Sequence, residues 1–145
     1  MSNKTAESLK GLLADHEVLY QKLRNYHWNI TGEKFFELHV LFETQYTAMA
    51  VRIDDIAERL RYLGEIAPGS YAAFLKLSNL KEDPGVPPSR QMVENLLADY
   101  MTLSESVKAC RADAEAANDL GTVVMLEDYV TTDQKTIWMM RSFLA

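Results

Sequence analysis

Residues 27–58 decide the fold, and they read HWNITGEKFFELHVLFETQYTAMAVRIDDIAE. The spacing of apolar residues after Gly32 predicts one long helix. Four residues with metal-binding side chains lie on this helix: His39, Glu43, Asp54 and Glu58. At about 100° per residue, and with the histidine taken as zero, the three acids fall at roughly 40°, 60° and 100°. All four side chains therefore share one stripe of the helix.

The composition of this stripe distinguishes it from an ordinary charged helix face. The neighbouring acids Glu37 and Asp55 both fall at about 160°, away from the stripe. Between its polar ends the stripe is lined by Tyr46, Ala50 and Ala57. A polar stripe that is interrupted by aromatic and small residues indicates a contact surface more than a solvent-facing one.

The two ends of the stripe are too far apart to form one site within a chain. At about 1.5 Å rise per residue, His39 and Asp54 are separated by roughly 22 Å along the helix axis. A second copy of the helix, packed antiparallel about a two-fold axis, would bring the His39/Glu43 end of one chain against the Asp54/Glu58 end of the other. Because a two-fold contact is isologous, it would form two identical sites per dimer. His27 precedes the turn and can fold back beside His39.

The set of donor atoms indicates the metal. Imidazole and carboxylate ligands with open coordination positions are typical of non-haem iron. A structural zinc site would normally be closed by four ligands, commonly including cysteine, and the only cysteine is the distant Cys110. Zinc stays an alternative, because the same atoms accept several divalent metals. Either i, i+4 pair taken alone is also explained by a structural or solvated helix face.

Together these residues resemble the signature of a known family. The chain is similar over nearly its whole length to the Dps miniferritins, the DNA-binding proteins from starved cells within the ferritin-like superfamily. The resemblance is carried by His27-Trp28-Asn29, Gly32, Phe35 or Phe36, His39, Glu43, residues 54–59 and Leu63-Gly64, with Ile137-Trp138-Met139 near the end.

The resemblance implies a fold and an activity. The fold would be an all-α, ferritin-like four-helix bundle with a short extra helix in the crossover between helices 2 and 3, and residues 1–145 would form a single domain. A dodecamer of such chains, built from two-fold dimers, would be a hollow shell. The shell would act as a ferroxidase that oxidises Fe(II), preferably with hydrogen peroxide, and would store Fe(III) mineral inside, which protects against oxidative damage.

The resemblance also implies which residues bind iron. His27 and His39 match ligands from one subunit, while Asp54 and Glu58 match ligands from its partner. Glu43 occupies a position where the family usually has aspartate, so its contact with iron is either direct or through water.

Two further residues of the first helix have alternative interpretations. Trp28, at the helix end, is either a packing residue or, as the resemblance implies, an auxiliary electron donor near the iron. His16 lies on the apolar stripe of the helix, where a partly buried, hydrogen-bonded histidine is favoured over a ligand, because a lone histidine carries little specificity.

The amino-acid composition narrows the possible cellular location and binding partners of the protein. The chain has 145 residues, of which 48% are hydrophobic and 25% charged, enough for a substantial core. No apolar run approaches the ~20 residues of a membrane span, and the N-terminus has no signal-peptide core. A single cysteine is compatible with a reducing cytoplasm. The net charge of −6 argues against a general affinity for nucleic acid or anionic membrane and suits a store of cations.

Periodicity predicts four long helices with a crossover in the middle. The first long helix should run from Thr5 or Ala6 to about Asn29, and the second from residues 33–35 to Leu63-Gly64, where glycine is a natural stop. Residues 65–89 are punctuated by proline and glycine, which indicates the crossover of a ferritin-like bundle. A short helix is predicted there over residues 71–75. The family resemblance implies that this helix packs at the dimer interface, where Tyr71 and Phe74 would be its packing residues.

The last two long helices are predicted to be apolar and without metal ligands. Ser89 is the expected N-cap of the third helix, and Gly121-Thr122 should open the fourth. The expected apolar positions are Met92, Leu96, Tyr100, Leu103, Val107, Cys110 and Ala114 on the third helix, and Val123, Leu126, Val130, Ile137, Trp138 and Leu144 on the fourth. No histidine follows His39, so a core-centred di-iron site with Glu-x-x-His ligands is excluded and the interface site remains.

Two features common in the family are not matched by this chain. Many members bind DNA through Lys/Arg-rich tails, whereas here only Lys4 precedes the first helix, so DNA binding is not expected. Iron-entry pores in the family tend to carry aspartate where this chain has Val124. Glu115, Asp119 and Glu127 are candidate replacements, although acids near a helix N-terminus also interact favourably with the helix dipole.

Two other functions remain as alternatives to iron oxidation and storage. One is a non-enzymatic structural or DNA-compacting assembly, in which the stripe of histidine and carboxylates only fixes the dimer. The other is a buffer of zinc or another divalent metal at the same site.

Overall fold

The computed structural model describes residues 3–145 and contains five helices. They are α1 (Lys4–Asn29), α2 (Phe35–Tyr62), α3 (Tyr71–Leu77), α4 (Ser89–Ala116) and α5 (Leu120–Leu144). No strand occurs in this part of the chain, so the predicted all-α class is confirmed. None of the helices within residues 3–145 combines the length and the apolar character needed to cross a membrane.

The four long helices form two hairpins that pack into one bundle. α1 packs against α2, and α4 packs against α5, while α1 also contacts α4 and α3. The short helix α3 lies in the crossover, as predicted, and its Phe74 is buried against the same chain. Tyr71, by contrast, is 82% exposed, so of the two residues only Tyr71 retains a surface for a partner.

The core follows the predicted stripes of the long helices. All seven residues expected to face inward on α4 are buried, and so are the leucines of α1. Each fully buried Leu, Val or Phe side chain contributes about 1.5–3 kcal/mol relative to leaving it in water. Burial of these stripes, more than intrinsic helix propensity, holds the long helices in place.

The helix ends explain where the chain turns. Asn3 caps α1 by accepting a hydrogen bond from the backbone N–H of Ala6, so α1 begins one residue before the expected start. α2 ends at Tyr62, directly before the predicted stop at Leu63-Gly64. Gly64 has a φ of +82°, its N–H donates to the carbonyl of Arg61, and the N–H of Glu65 donates to that of Leu60. These two bonds form a Schellman motif.

Two sequence predictions about α4 and α5 are wrong. Ser89 is not the N-cap of α4, because it is already the first helical residue. The N-cap is Pro88, whose carbonyl accepts from the N–H of Met92, and no side chain caps this end. Trp138 is not on the buried face of α5, since it is 63% exposed while Ile137 is buried. Adjacent helical residues point about 100° apart, so a narrow core stripe cannot accommodate both.

Candidate metal site

The turn between α1 and α2 brings the two predicted histidine ligands together. His27 lies in the last turn of α1 and His39 near the start of α2. The chain reverses over residues 30–34, where Gly32 adopts a φ of +104°, a conformation that L side chains rarely take. Ile30 is buried beneath this turn and anchors it to the core.

Reciprocal hydrogen bonds lock the two histidines to each other. Nδ1 of His27 lies 2.6 Å from the carbonyl oxygen of His39, and Nδ1 of His39 lies 2.7 Å from the carbonyl oxygen of His27. Because a carbonyl oxygen only accepts, each Nδ1 carries the proton and donates it. In a neutral imidazole of this tautomer, Nε2 keeps the lone pair that a metal ion binds.

The two imidazoles are also part of an aromatic stack. Their ring centroids are 3.8 Å apart and the planes differ by 12°. Phe35 stacks on His39 at 4.8 Å and 18°, and Tyr46 meets the ring of His27 edge-on at 5.3 Å and 75°. His27 is buried and His39 half-buried, so the pair lies at the edge of the core.

The two predicted carboxylate ligands also form a pair. Asp54 and Glu58 lie one turn apart on α2, and both are exposed. Asp54 raises the pKa of Glu58, first through a hydrogen bond between the two carboxyl groups and then through charge repulsion. Two carboxyl groups this close share a proton or attract a cation between them.

One chain presents the histidine half and the carboxylate half of the site separately. Because α2 is continuous between them, roughly 22 Å of helix axis separates His39 from Asp54. Glu43 is exposed on the same helix, near the histidine end. Within residues 3–145 of a single chain, no group of three or more His, Cys, Asp or Glu side chains could hold a metal ion.

Trp28 and Cys110 are not members of the histidine stack. Trp28 is 55% exposed, and the guanidinium of Arg24 lies over its indole at 4.8 Å. The proposed redox role of Trp28 stays a prediction. Cys110 is a buried free thiol whose pKa is raised to about 12, first by burial and then by nearby aspartates. It is therefore an inert core residue, as the sequence indicated.

A buried polar cluster in the middle of the bundle was missed by sequence reasoning. Arg52 on α2 forms an ion pair of 2.8 Å with Asp133 on α5, and its guanidinium lies over the ring of Tyr129 at 4.4 Å. Nη1 of Arg52 also lies 3.4 Å from Nε2 of His16. The sequence did contain a signal for this cluster. Arg52 lies seven residues after Gln45, so both polar residues fall on the core-facing stripe of α2.

The three candidate pore acids are each paired with an arginine. Asp119 is the N-cap of α5, and it accepts from Thr122 and from Nη2 of Arg59 at 2.7 Å. Glu115 and Glu127 both pair with Arg111, at 2.6 and 2.8 Å. Asp119 and Glu127 thereby join two helices, whereas the pair of Glu115 with Arg111 lies within α4.

Comparison with known proteins establishes the family. The ferritin-like domain family matches residues 6–145. The DNA protection during starvation protein of Helicobacter pylori strain J99 is 36% identical over 143 residues, which cover 98% of this chain and 99% of that protein. The chain belongs to the Dps family of miniferritins. The predicted ferritin-like bundle is thereby confirmed.

Solved structures of Dps proteins agree closely with this chain. The Dps protein from Vibrio cholerae O1, described as a member of a broad superfamily of ferritin-like diiron-carboxylate proteins, superposes with a TM-score of 0.95 at 34% identity and covers 98% of this chain and 89% of that chain. Dps from Staphylococcus aureus superposes with a TM-score of 0.95 at 32% identity, covering 100% and 99% of the two chains.

Proposed function

We propose that this Dps-family chain oxidises Fe(II) and stores the Fe(III) product. His27, His39 and Glu43 of one chain would bind iron together with Asp54 and Glu58 of its partner. The observation that carries this proposal is the reciprocal hydrogen bonding of the two histidines. It places a proton on both Nδ1 atoms, so in the neutral form of each ring Nε2 carries the lone pair that a metal ion binds.

The helix geometry supports a site that two chains share. The histidine and carboxylate pairs lie on one continuous helix, and α2 would have to meet a second copy for the pairs to adjoin. An antiparallel contact about a two-fold axis places each histidine pair against the partner's carboxylates and so creates two equal sites. Repetition of such dimers would build the dodecameric shell, whose interior would hold the mineral.

The chemistry of the site suits iron oxidation by hydrogen peroxide. Two Fe(II) ions give one electron each to one peroxide, the O–O bond breaks, and two protons from solvent complete two water molecules. Carboxylate ligands stabilise Fe(III) more than Fe(II), so Asp54 and Glu58 favour the oxidised product. The neutral imidazoles of His27 and His39 add nitrogen donors that suit iron in both states. Release of mineral-forming Fe(III) to the interior would free the site for the next pair.

The site is tested by removing the carboxylate half. The Asp54→Ala/Glu58→Ala variant should oxidise Fe(II) with peroxide more than about tenfold slower than the parent, since even supporting residues of metal sites have effects of this size. The matched control is Glu37→Ala/Asp55→Ala, which removes two exposed acids of the same helix that lie off the stripe. Equal rates and equal iron retention in the parent and the stripe variant would disprove the assignment.

The choice of metal needs a separate measurement, because neutral imidazole nitrogen also binds zinc. Anaerobic titration of the parent with Fe(II), with Zn(II) and with both tests which metal the site retains. We expect Fe(II) to bind and to be oxidised when peroxide is added. Retention of Zn(II) with no peroxide-dependent oxidation of iron would favour the metal buffer.

A further inference from the structure

We propose that Phe35 is a positioning residue of the metal site. Its ring closes the outer face of the His27–His39 stack and holds both imidazole planes in the orientation that metal binding requires. The inference rests on the proposed function only in taking the two histidines as ligands. The stack itself is a property of the metal-free chain.

The evidence is a continuous stack of three rings. The centroids of His27 and His39 are 3.8 Å apart, and those of His39 and Phe35 are 4.8 Å apart. Interplanar angles of 12° and 18° make the three rings nearly parallel. Each face of the His39 ring is therefore covered by an aromatic ring, while Tyr46 supports the edge of His27 at 5.3 Å.

The reciprocal hydrogen bonds alone do not fix the ring planes. Each bond restrains one Nδ1 atom only within the range of distances and angles that a hydrogen bond tolerates. The ring can therefore still tilt by small rotations about its side-chain bonds, of which the Cβ–Cγ torsion has a broad minimum. His39 is half-buried, so without a covering ring water would reach its outer face and compete for the Nδ1 hydrogen bond. A ligand that tilts or changes tautomer has its lone pair in the wrong direction for part of the time, which weakens metal binding.

The position of Phe35 suits this role. It is the first residue of α2 and lies four residues before His39, so the helix itself aligns the two side chains on one face. Its N–H donates to the carbonyl of Gly32 at 3.1 Å, which ties it to the turn that brings the histidines together. A phenyl ring offers no atom that competes for the metal. The neighbouring Phe36 is 79% exposed and meets the ring of Phe35 only edge-on, at 5.5 Å and 75°, so it covers no face of a histidine.

The first test needs no metal. The chain has three histidines, so selective isotope labelling gives three resolvable ring signals by NMR. Phe35→Leu keeps an apolar side chain but removes the ring, and it should shift or broaden the signals of His27 and His39. His16, buried in the bundle core, serves as the internal reference and should not change. Phe35→Tyr restores the ring and should restore the parental spectrum, while Phe36→Leu is the matched control.

The second test measures how the site uses iron. In peroxide-driven oxidation, Phe35→Leu should raise the KM for Fe(II) about tenfold or more, with kcat at saturating iron within about twofold of the parent. Phe35→Tyr should return KM to the parental value. Unchanged ring signals and unchanged KM in Phe35→Leu would overturn the proposal. If the ring signals respond as expected but the parent neither binds nor oxidises iron, the positioning role stands and the proposed function fails.

Discussion

At the scale of single residues, the three histidines of this chain serve two different purposes. His27 and His39 donate from Nδ1, and their Nε2 atoms are the proposed metal-binding atoms. His16 also donates from Nδ1, to the carbonyl of Leu12 at 2.8 Å, but its Nε2 faces Arg52 inside the bundle. Burial first, and then the charge of Arg52, lower the pKa of His16 to about 3. The predicted hydrogen-bonded histidine is confirmed, but its ring is completely buried where partial burial was expected.

This buried neutral histidine should make stability depend on pH. Below the ordinary pKa of 6.5 the unfolded chain binds a proton at His16, whereas the folded chain does not until about pH 3. His16 therefore destabilises the fold as the pH falls through this window, by up to about 1.4 kcal/mol per pH unit. Replacing it with a neutral residue in His16→Gln should remove this contribution. Denaturant unfolding of parent and variant at several pH values measures the difference.

The His16→Gln variant has to be compared with the parent because Asp133 changes the stability of the fold with pH in the opposite direction. Burial raises the pKa of Asp133 to about 6 despite the ion pair with Arg52. Folding therefore favours the protonated carboxyl group, and the stability that this protonation contributes is lost as the pH rises from 3.8 to 6. The two contributions offset each other in the parent between these values. Relative to the parent, His16→Gln should gain stability as the pH falls, and Asp133→Asn should lose it. Parallel curves for all three proteins would contradict this assignment.

At the scale of the helix, the end of α2 depends on one backbone conformation. Gly64 has a φ of +82°, and its turn supplies the two hydrogen bonds that close the last carbonyls of α2. Gly64→Ala should cost about 1 kcal/mol of unfolding free energy or more, because a Cβ is strained at positive φ. Thermal or denaturant unfolding measures the loss.

A second glycine provides the control for this prediction. Gly69 lies in the crossover without a positive φ, and a Cβ there would meet only the carbonyl oxygen of Ala67, at 4.0 Å. Gly69→Ala should therefore leave stability unchanged or raise it slightly. Equal losses in Gly64→Ala and Gly69→Ala would show that backbone conformation is not the cause.

At the scale of the whole molecule, the proposed shared site predicts that two inactive chains complement each other. Neither His39→Ala nor Asp54→Ala can form an intact site with copies of itself. In a mixed dimer, one site lacks both ligands, whereas the other combines the intact histidine of one chain with the intact aspartate of its partner. Random pairing makes half of the dimers mixed, so co-assembly should restore up to about a quarter of the parental rate.

The complementation is measured by refolding the two variants together and following the initial rate of iron oxidation with peroxide. Mass spectrometry confirms that mixed dimers have formed. Each variant refolded alone gives the baseline. Activity at this baseline despite proven mixing would contradict a site shared between chains.

The charge of the molecule predicts its behaviour towards DNA. Each chain carries a net charge of −6, and an assembly multiplies this charge. Affinity for DNA depends on cationic contacts to phosphate, so we expect no mobility shift at neutral pH and moderate salt. A gel-shift titration at low and moderate salt checks this. Tight, salt-sensitive retention of DNA would instead support the DNA-compacting alternative.

The sequence by itself determined the helices and indicated the candidate ligands, whose role in binding iron stays a prediction. Periodicity located the four long helices, and the stop at Gly64 was visible as a glycine after the last apolar turn. The same periodicity placed His39 and Asp54 on one stripe but too far apart for one site. These predictions succeeded because helix geometry is local and repeats along the chain. Ser89 and Trp138 show the limit of such predictions, because helix capping and side-chain burial depend on contacts with other parts of the chain.

Only the tertiary structure decided how the candidate site is held. The tautomer of each histidine depends on a carbonyl twelve residues away on another helix, and the ring planes depend on Phe35. The pairing of Arg52 with Asp133 likewise joins residues from α2 and α5. No periodic pattern encodes these contacts, because they arise when the turn at Gly32 and the packing of the bundle bring separate segments within hydrogen-bonding distance.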